Sequence, residues 1–308
     1  MQTPNGGDGR IRVSLAELIA LRARIGRSRM LPILSRAGCS GQQSSRLYGR
    51  GMDYAESRVY QAGDDVRRLD WRLTARSGKL HTKLFQEDRE GSLLILLDTH
   101  PSMRFGTRMR FKSVQAARVA AAAAWYAVRA GERVGVMAFG PVQHLLRPQP
   151  GPRGALALCG AVSGWDALPP TIHSESLADA LVRASRVLHG ASRVLLLSDG
   201  FSCDPSARQR MLDLTSHAGV SVLVVADPLE LAPAPAGRYP LEHEGERREV
   251  LLHTQRQRRD FQRAMGSGPA QLGELAASLG LRCHTVDTTA DPLDAVTTLL
   301  GAARRSVR

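Results

Sequence analysis

Three apolar runs limit the folds open to this chain: Leu93-Leu-Ile-Leu-Leu97, Val194-Leu-Leu-Leu197 and Val220-Ser-Val-Leu-Val-Val-Ala226. Such strands are buried on both faces, as in parallel sheets with helices on either side. The first run ends in Asp98, with Ser102 four residues later, and the second ends in Ser198-Asp199-Gly200. In open α/β sheets, ligands sit in the crevice beyond the carboxyl ends of parallel strands. Asp98 and Asp199 are therefore expected in one crevice. Two acidic strand ends with hydroxyls beside them are the raw material of a hard-cation site. One residue spoils the pattern, because His100 stands where an oxygen ligand is wanted.

From Leu93 onward, strand and helix patterns alternate, which predicts parallel strands joined by right-handed crossovers. Strands are read at 93–97, 133–139, 193–197, 220–226 and 281–286, with an antiparallel edge at about 142–146 after Gly140-Pro141. Helices are read near 110–130, 153–163, 175–188, 206–217, 269–279 and 291–303, and residues 227–265 as an insertion rich in Pro, Glu and Arg. The longest apolar run, Val119 to Val128, is about half the ~20 residues of a membrane span and full of alanine. It is read as a buried helix. No signal segment or membrane span is recognised, so the chain is expected to be cytoplasmic.

Before Leu93 the pattern changes. Residues 1–45 are read as a basic helical arm with a disordered start, its helix at about Ser14–Ile25. Residues 46–92 are read as a charged, β-rich module of short strands and turns, with 93–308 as the main domain. Nine arginines (10, 12, 22, 24, 27, 29, 36, 46 and 50) face only Asp8 and Glu17 in the first fifty residues, a large share of the net charge of +13. A basic arm of this kind can bind phosphate backbones or an anionic surface. No aromatic-interleaved basic patch accompanies it, so nucleic acid is the less favoured partner. Cys39, Cys159, Cys203 and Cys283 lack metal-ligand or disulfide spacing. The phosphate loop, the Gly-x-Ser-x-Gly elbow and the His-Glu-x-x-His zinc motif are absent. His243-Glu244 lies in the charged insertion and reads as solvated.

The element order from 93 to 303 resembles a von Willebrand factor A-type domain. That resemblance implies a Mg²⁺ site built from Asp-x-Ser-x-Ser after the first strand, a threonine from a later loop, and an aspartate after the fourth. Here the motif reads Asp98-Thr99-His100-Pro101-Ser102, and the threonine loop offers Ser174, Glu175 and Ser176, with Thr171 behind two prolines. Asp98, Ser102 and Asp199 would form an altered, weak metal site, with no cofactor required. The plainer alternative is that both aspartates accept hydrogen bonds from neighbouring loop amides. On the altered-site reading, a serine at position 100 is expected to raise Mg²⁺ affinity.

A second pattern is Arg58-x-Tyr60-x-x-Gly63-Asp64-Asp65-x-Arg67-x-x-Asp70-Trp71-x-x-x-Ala75-Arg76. With Met103, Phe105-Gly106, Lys112 and Asp227-Pro-Leu, it resembles the bacterial domain-of-unknown-function fifty-eight family. Members are von Willebrand-like proteins typically encoded beside MoxR-type AAA+ ATPases. The resemblance implies no enzymatic activity, and work with the ATPase and its client proteins in assembling or activating other complexes. Read on its own, the alternation of Asp64, Asp65 and Asp70 with Arg58, Arg67, Arg72 and Arg76 predicts a dense ion-pair network. It either staples the module or docks the ATPase.

The fold expected is therefore a von Willebrand factor A-like, Rossmann-like α/β sheet, mostly parallel, preceded by a small β-rich module. The function expected is non-enzymatic adaptor binding at a crevice marked by Asp98, His100, Ser102, Glu175 and Asp199. His100 there offers a pH-sensitive contact in place of the metal. The rivals are a nucleic-acid or anionic-surface binder through residues 10–50 and a metal-dependent hydrolase at Asp98 and Asp199.

Overall fold

A computed structural model describes residues 7–25, 52–61, 64–87, 91–169, 174–188, 192–243 and 246–301. It divides into a smaller unit drawn from residues 39–90 and a larger one drawn from the rest of the chain. Gly63, Thr171, Cys39, Glu244 and the start of the expected arm lie outside the described residues.

Helix α1 (Leu15–Arg24) belongs to the larger unit, so the smaller begins with β1 (Met52–Val59). That strand pairs antiparallel with β2 (His81–Glu87). Between them lie a 3₁₀ turn, Val66–Arg68, and helix α2 (Trp71–Ser77). The helix departs from the expectation of strands and turns alone. Asp70 starts it, accepting from Leu73 N at 3.1 Å and from Ser57 Oγ at 2.8 Å. Gly78 stops it in the left-handed region at φ 69°. Asp65 accepts from Arg67 N at 3.0 Å, and Arg58 pairs with Asp64 at 2.8 Å. The motif acids thus act largely as caps within the unit. Arg67, Arg72, Ala75 and Arg76 are exposed, as is Trp71.

The larger unit is built on a six-stranded sheet of β3 (Ser92–Asp98), β4 (Arg133–Phe139), β5 (His144–Gln149), β6 (Ser192–Ser198), β7 (Gly219–Ala226) and β10 (Arg282–Asp287). Their order is β10-β7-β6-β3-β4-β5, parallel except for β5 at the edge. This is the von Willebrand factor A-like arrangement expected. From β3 the chain first builds outward through β4 and β5, then returns to the other side of β3 as β6. The switch in direction falls between β3 and β6, and it is beyond the carboxyl ends at such a point that open α/β sheets bind ligands.

Alternation along β3 divides the core. Leu93, Ile95 and Leu97 meet α1, α3 (Lys112–Arg129), α4 (Gly151–Asp166) and α10 (Pro292–Leu300). Leu94 and Leu96 meet α5 (Leu177–Ser185), α6 (Ala207–Thr215) and α9 (Ser267–Ser278). Ala120 to Ala124 are wholly buried, because α3 is enclosed by the sheet on one side and other helices on the other. No helix among the described residues is long and apolar enough to cross a membrane.

One expectation about domains needs correcting. The helix of the supposed arm is docked: Leu18 and Leu21 are buried against α3, and Trp125 Nε1 donates to Leu18 O at 3.1 Å. Arg22 lies over the Trp125 ring, and Arg24 pairs with Asp291. Those arginines are engaged within the chain. The insertion expected at 227–265 carries α7 (Pro228–Leu231), a hairpin of β8 (Gly237–His243) and β9 (Glu246–Leu252), and α8 (Gln255–Met265).

Candidate functional site at the strand ends

Adjacent parallel strands β3 and β6 bring Asp98 and Asp199 to the same end of the sheet. Asp98 is buried and its carboxylate is heavily engaged. Oδ1 accepts from His100 N at 2.9 Å and from His100 Nδ1 at 2.6 Å. Oδ2 accepts from Ser198 Oγ at 2.6 Å and from Ser202 Oγ at 2.7 Å. A carboxylate has about four lone-pair sites, so Asp98 has none to spare.

His100 owes its position to a turn of backbone. Thr99 N and Oγ1 both donate to Phe139 O, at 2.9 and 2.6 Å, tying the end of β3 to that of β4. The His100 ring then meets Phe139 edge-on, with centroids 5.8 Å apart. Gly140, at φ 102°, leaves room for it: a Cβ there would lie 2.9 Å from Nδ1. Glu175 reaches this rim because its N donates to Gly140 O at 3.1 Å. Its carboxylate is gripped by Arg183 at 2.9 and 2.6 Å, and Arg183 also donates to Ala138 O at 2.7 Å.

Asp199 faces inward. Its Oδ1 accepts from Phe201 N at 3.2 Å, while Oδ2 meets the Lys112 ammonium at 2.8 Å. Lys112, only 1% exposed, also reaches Glu230 Oε1 at 2.6 Å. Its Nζ stands 5.5 Å from the Phe105 ring centroid and 5.4 Å from that of Phe201. Gly200, at φ 86°, lets Phe201 take this place; a Cβ there would fall 2.0 Å from Gly268 O. Glu230 Oε2 accepts from Asp227 N at 2.8 Å. Asp227 in turn accepts from Thr107 N and Oγ1, Leu229 N and Thr288 Oγ1. A buried polar network thus runs from the end of β6 to the end of β7.

Burial pushes the carboxyls of Asp199 and Glu230 above their ordinary values, with the nearby Lys112 charge opposing the shift. For His100, burial disfavours the imidazolium and is the largest single influence. The Asp98 hydrogen bond and the charges of Asp98, Asp199 and Glu175 together outweigh it, so its pKa is raised. A raised folded-state pKa contributes stability that is complete below the unfolded value of about 6.5 and is lost as pH rises through the folded one. The stability advantage of wild type over His100→Asn should therefore grow as pH is lowered toward the unfolded value of about 6.5 in urea unfolding. Parallel profiles for the two proteins would contradict this assignment.

The sequence-expected residues Asp98, His100, Glu175 and Asp199 come together here, and their polar atoms, unlike that of Ser102, are already engaged. Mg²⁺ asks for hard oxygens in near-octahedral array. Asp98 is saturated, Asp199 is bonded to an ammonium, and an imidazole stands at position 100. Ser102 Oγ, buried without a hydrogen-bond partner, is a hydroxyl that would suit a metal. As a set, the residues present do not fit a divalent cation. Lys112, Glu230, Ser198, Ser202 and Asp227 are site residues that the reading of the sequence did not assign. Lys112 stood in the family pattern, yet a lysine opening a helix ordinarily points to solvent. Cys203 lies close by with its thiol pushed up to about 12 by burial and by the negative charges of Asp204, Asp98 and Asp199, which suits an inert thiol.

Beside Asp98 and His100 the surface is concave. An apolar cleft lined by Met103, Val162, Trp165 and Leu168 continues into a groove of about 340 Å³ flanked by Arg12 and Arg104. Asp166 on the same wall has one carboxylate oxygen accepting from Val13 N at 3.0 Å.

Residues 56–269 match the family model described as protein of unknown function DUF58. An uncharacterised protein of Mycobacterium tuberculosis is 37% identical over 97 residues, covering 32% of this chain and 31% of that protein. The match thus spans about a third of the length of such curated relatives. Among solved structures, the chain is similar to a conserved hypothetical protein, BatB, from Bacteroides thetaiotaomicron. The TM-score is 0.45 at 16% identity, over 67% of this chain and 95% of that one. A von Willebrand factor type A structure from Catenulispora acidiphila gives a TM-score of 0.40 at 13% identity, over 72% of this chain and 43% of that one.

Proposed function

This chain belongs to the DUF58 family, and from that premise we propose that it is a non-enzymatic, cytoplasmic protein-interaction module. Its partner is a MoxR-type AAA+ ATPase, or a client of that ATPase, in the assembly or activation of other complexes. The partner docks at the strand-end crevice. One observation supports this reading above the others: the crevice acids are committed to internal donors, while an apolar cleft with an arginine-flanked mouth lies open beside them. A hydrolase needs a free base or an open metal position. A docking surface needs apolar depth and a polar rim. Residues of the second kind are the ones this crevice offers.

The test is retention of a purified MoxR-type ATPase from the same bacterium on the immobilised full chain. Arg12 and Arg104 are exposed, and the double variant gives up only the Arg104 Nη2 hydrogen bond to Asp166 O, so Arg12→Glu/Arg104→Glu is expected to fold with a melting temperature within a few degrees of wild type. It should weaken binding by about tenfold or more, the scale of a lost interfacial charge contact. Failure of the wild-type chain to retain the ATPase would remove the partner assignment. Unchanged binding by the double variant would move the docking site elsewhere.

A further inference from the structure

The metal site implied by the fold and the residues found here disagree, and we propose that Lys112 is the permanent cation of this crevice. Its ammonium balances the strand-end and loop carboxylates from within, so that docking requires no divalent metal. Lys112 Nζ lies 2.8 Å from Asp199 Oδ2 and 2.6 Å from Glu230 Oε1, with all three side chains essentially buried. An ammonium has three hydrogens. Two are used on these oxygens, and the cation also stands at about 5.5 Å from two aromatic rings, Phe105 and Phe201, within the range of cation–π attraction. Glu230 is itself fixed by the Asp227 amide at 2.8 Å, so one lysine links the ends of β6 and β7. A divalent ion would have to break the Lys112–Asp199 contact and also displace hydrogen-bond donors from Asp98. Unlike a metal, this cation is covalently held and cannot be stripped by a chelator. Restoring serine at position 100 alone leaves it in place, which revises the expectation drawn from the sequence.

Whether a partner docks here depends on the reading above; whether the isolated chain takes up a divalent cation does not. Mn²⁺, an oxygen-seeking stand-in for Mg²⁺, is titrated into the full chain and the free ion is followed by its electron paramagnetic resonance signal. Asp199-dependent binding is the difference between each protein and its Asp199→Asn counterpart. Wild type and His100→Ser are expected to show none up to millimolar Mn²⁺. Lys112→Ala, which leaves Asp199 and Glu230 facing a vacated volume, is expected to gain Asp199-dependent binding at least tenfold tighter than that millimolar limit, with a melting temperature that rises with Mn²⁺. Should that variant not fold, Lys112→Gln keeps hydrogen-bonding capacity without the charge and is read in the same way. Submillimolar Asp199-dependent binding by wild type would overturn the proposal. So would a folded Lys112 variant with no gain.

Discussion

A chain lacking residues 1–25 is expected to lose its native fold, not merely a basic appendage. Val13, Leu18, Leu21 and Ile25 are each at most 6% exposed and belong to the core cluster on one face of the sheet. At about 1.5–3 kcal/mol per buried apolar side chain, the segment supplies roughly 6–12 kcal/mol, an upper estimate. Whole domains are stable by only about 5–15 kcal/mol. The loss would also uncover Trp125 and strip partners from Arg118, which pairs with Glu17 at 2.7 Å, and Arg129, which donates to Ile25 O at 2.7 Å. Circular dichroism and thermal unfolding of the truncated chain measure this directly. A cooperative transition near the wild-type temperature would mean that the segment is a dispensable arm after all.

Replacing Lys112 by alanine is the point substitution with the largest expected cost. It leaves Asp199 and Glu230 buried without their shared cation. Breaking a buried ion pair from one side typically costs about 3–5 kcal/mol, whereas replacing every partner with neutral groups is far milder. Lys112→Met with Asp199→Asn and Glu230→Gln should therefore recover most of the stability that Lys112→Ala loses. The pH dependence has a definite sign. Carboxyls whose folded pKa lies above the unfolded value contribute stability at low pH and lose it as pH rises through the folded value. Burial already raises both carboxyls, and removing the opposing ammonium raises them further. The deficit of Lys112→Ala should thus shrink as the solution is acidified. Denaturant unfolding across pH checks both points, and a loss below about 1 kcal/mol at neutral pH would contradict the role given to the lysine.

What could be read in the sequence follows from how local each feature is. Strands β3, β6 and β7 were legible because burial on both faces forces an apolar run, and the acids at the ends of the first two follow directly. Helix α2 was not, since its apolar residues Trp71 and Leu73 show no helical stripe and none of its residues is buried. Its Asp70 and Gly78 caps were the available cue. Helix α8 likewise buries no residue, and only the Thr254–Gln257 capping box marks its start. The amphipathic pattern of α1 was plain, but the surface it covers, around Trp125, lies a hundred residues away in the chain. Lys112 was the hardest to interpret. Its burial depends on Asp199 and Glu230, 87 and 118 residues further on, meeting at one point. No local pattern announces such a convergence.

If Lys112 neutralises these acidic strand ends from within, the crevice has no place for a divalent ion. Crystals of the full chain grown in millimolar MnCl₂ test it most directly through an anomalous difference map. The expected result is ammonium density from Lys112 between Asp199 and Glu230 and no manganese peak at the crevice. A manganese peak coordinated by Asp98, Ser102 or Asp199, with Lys112 swung away, would contradict it.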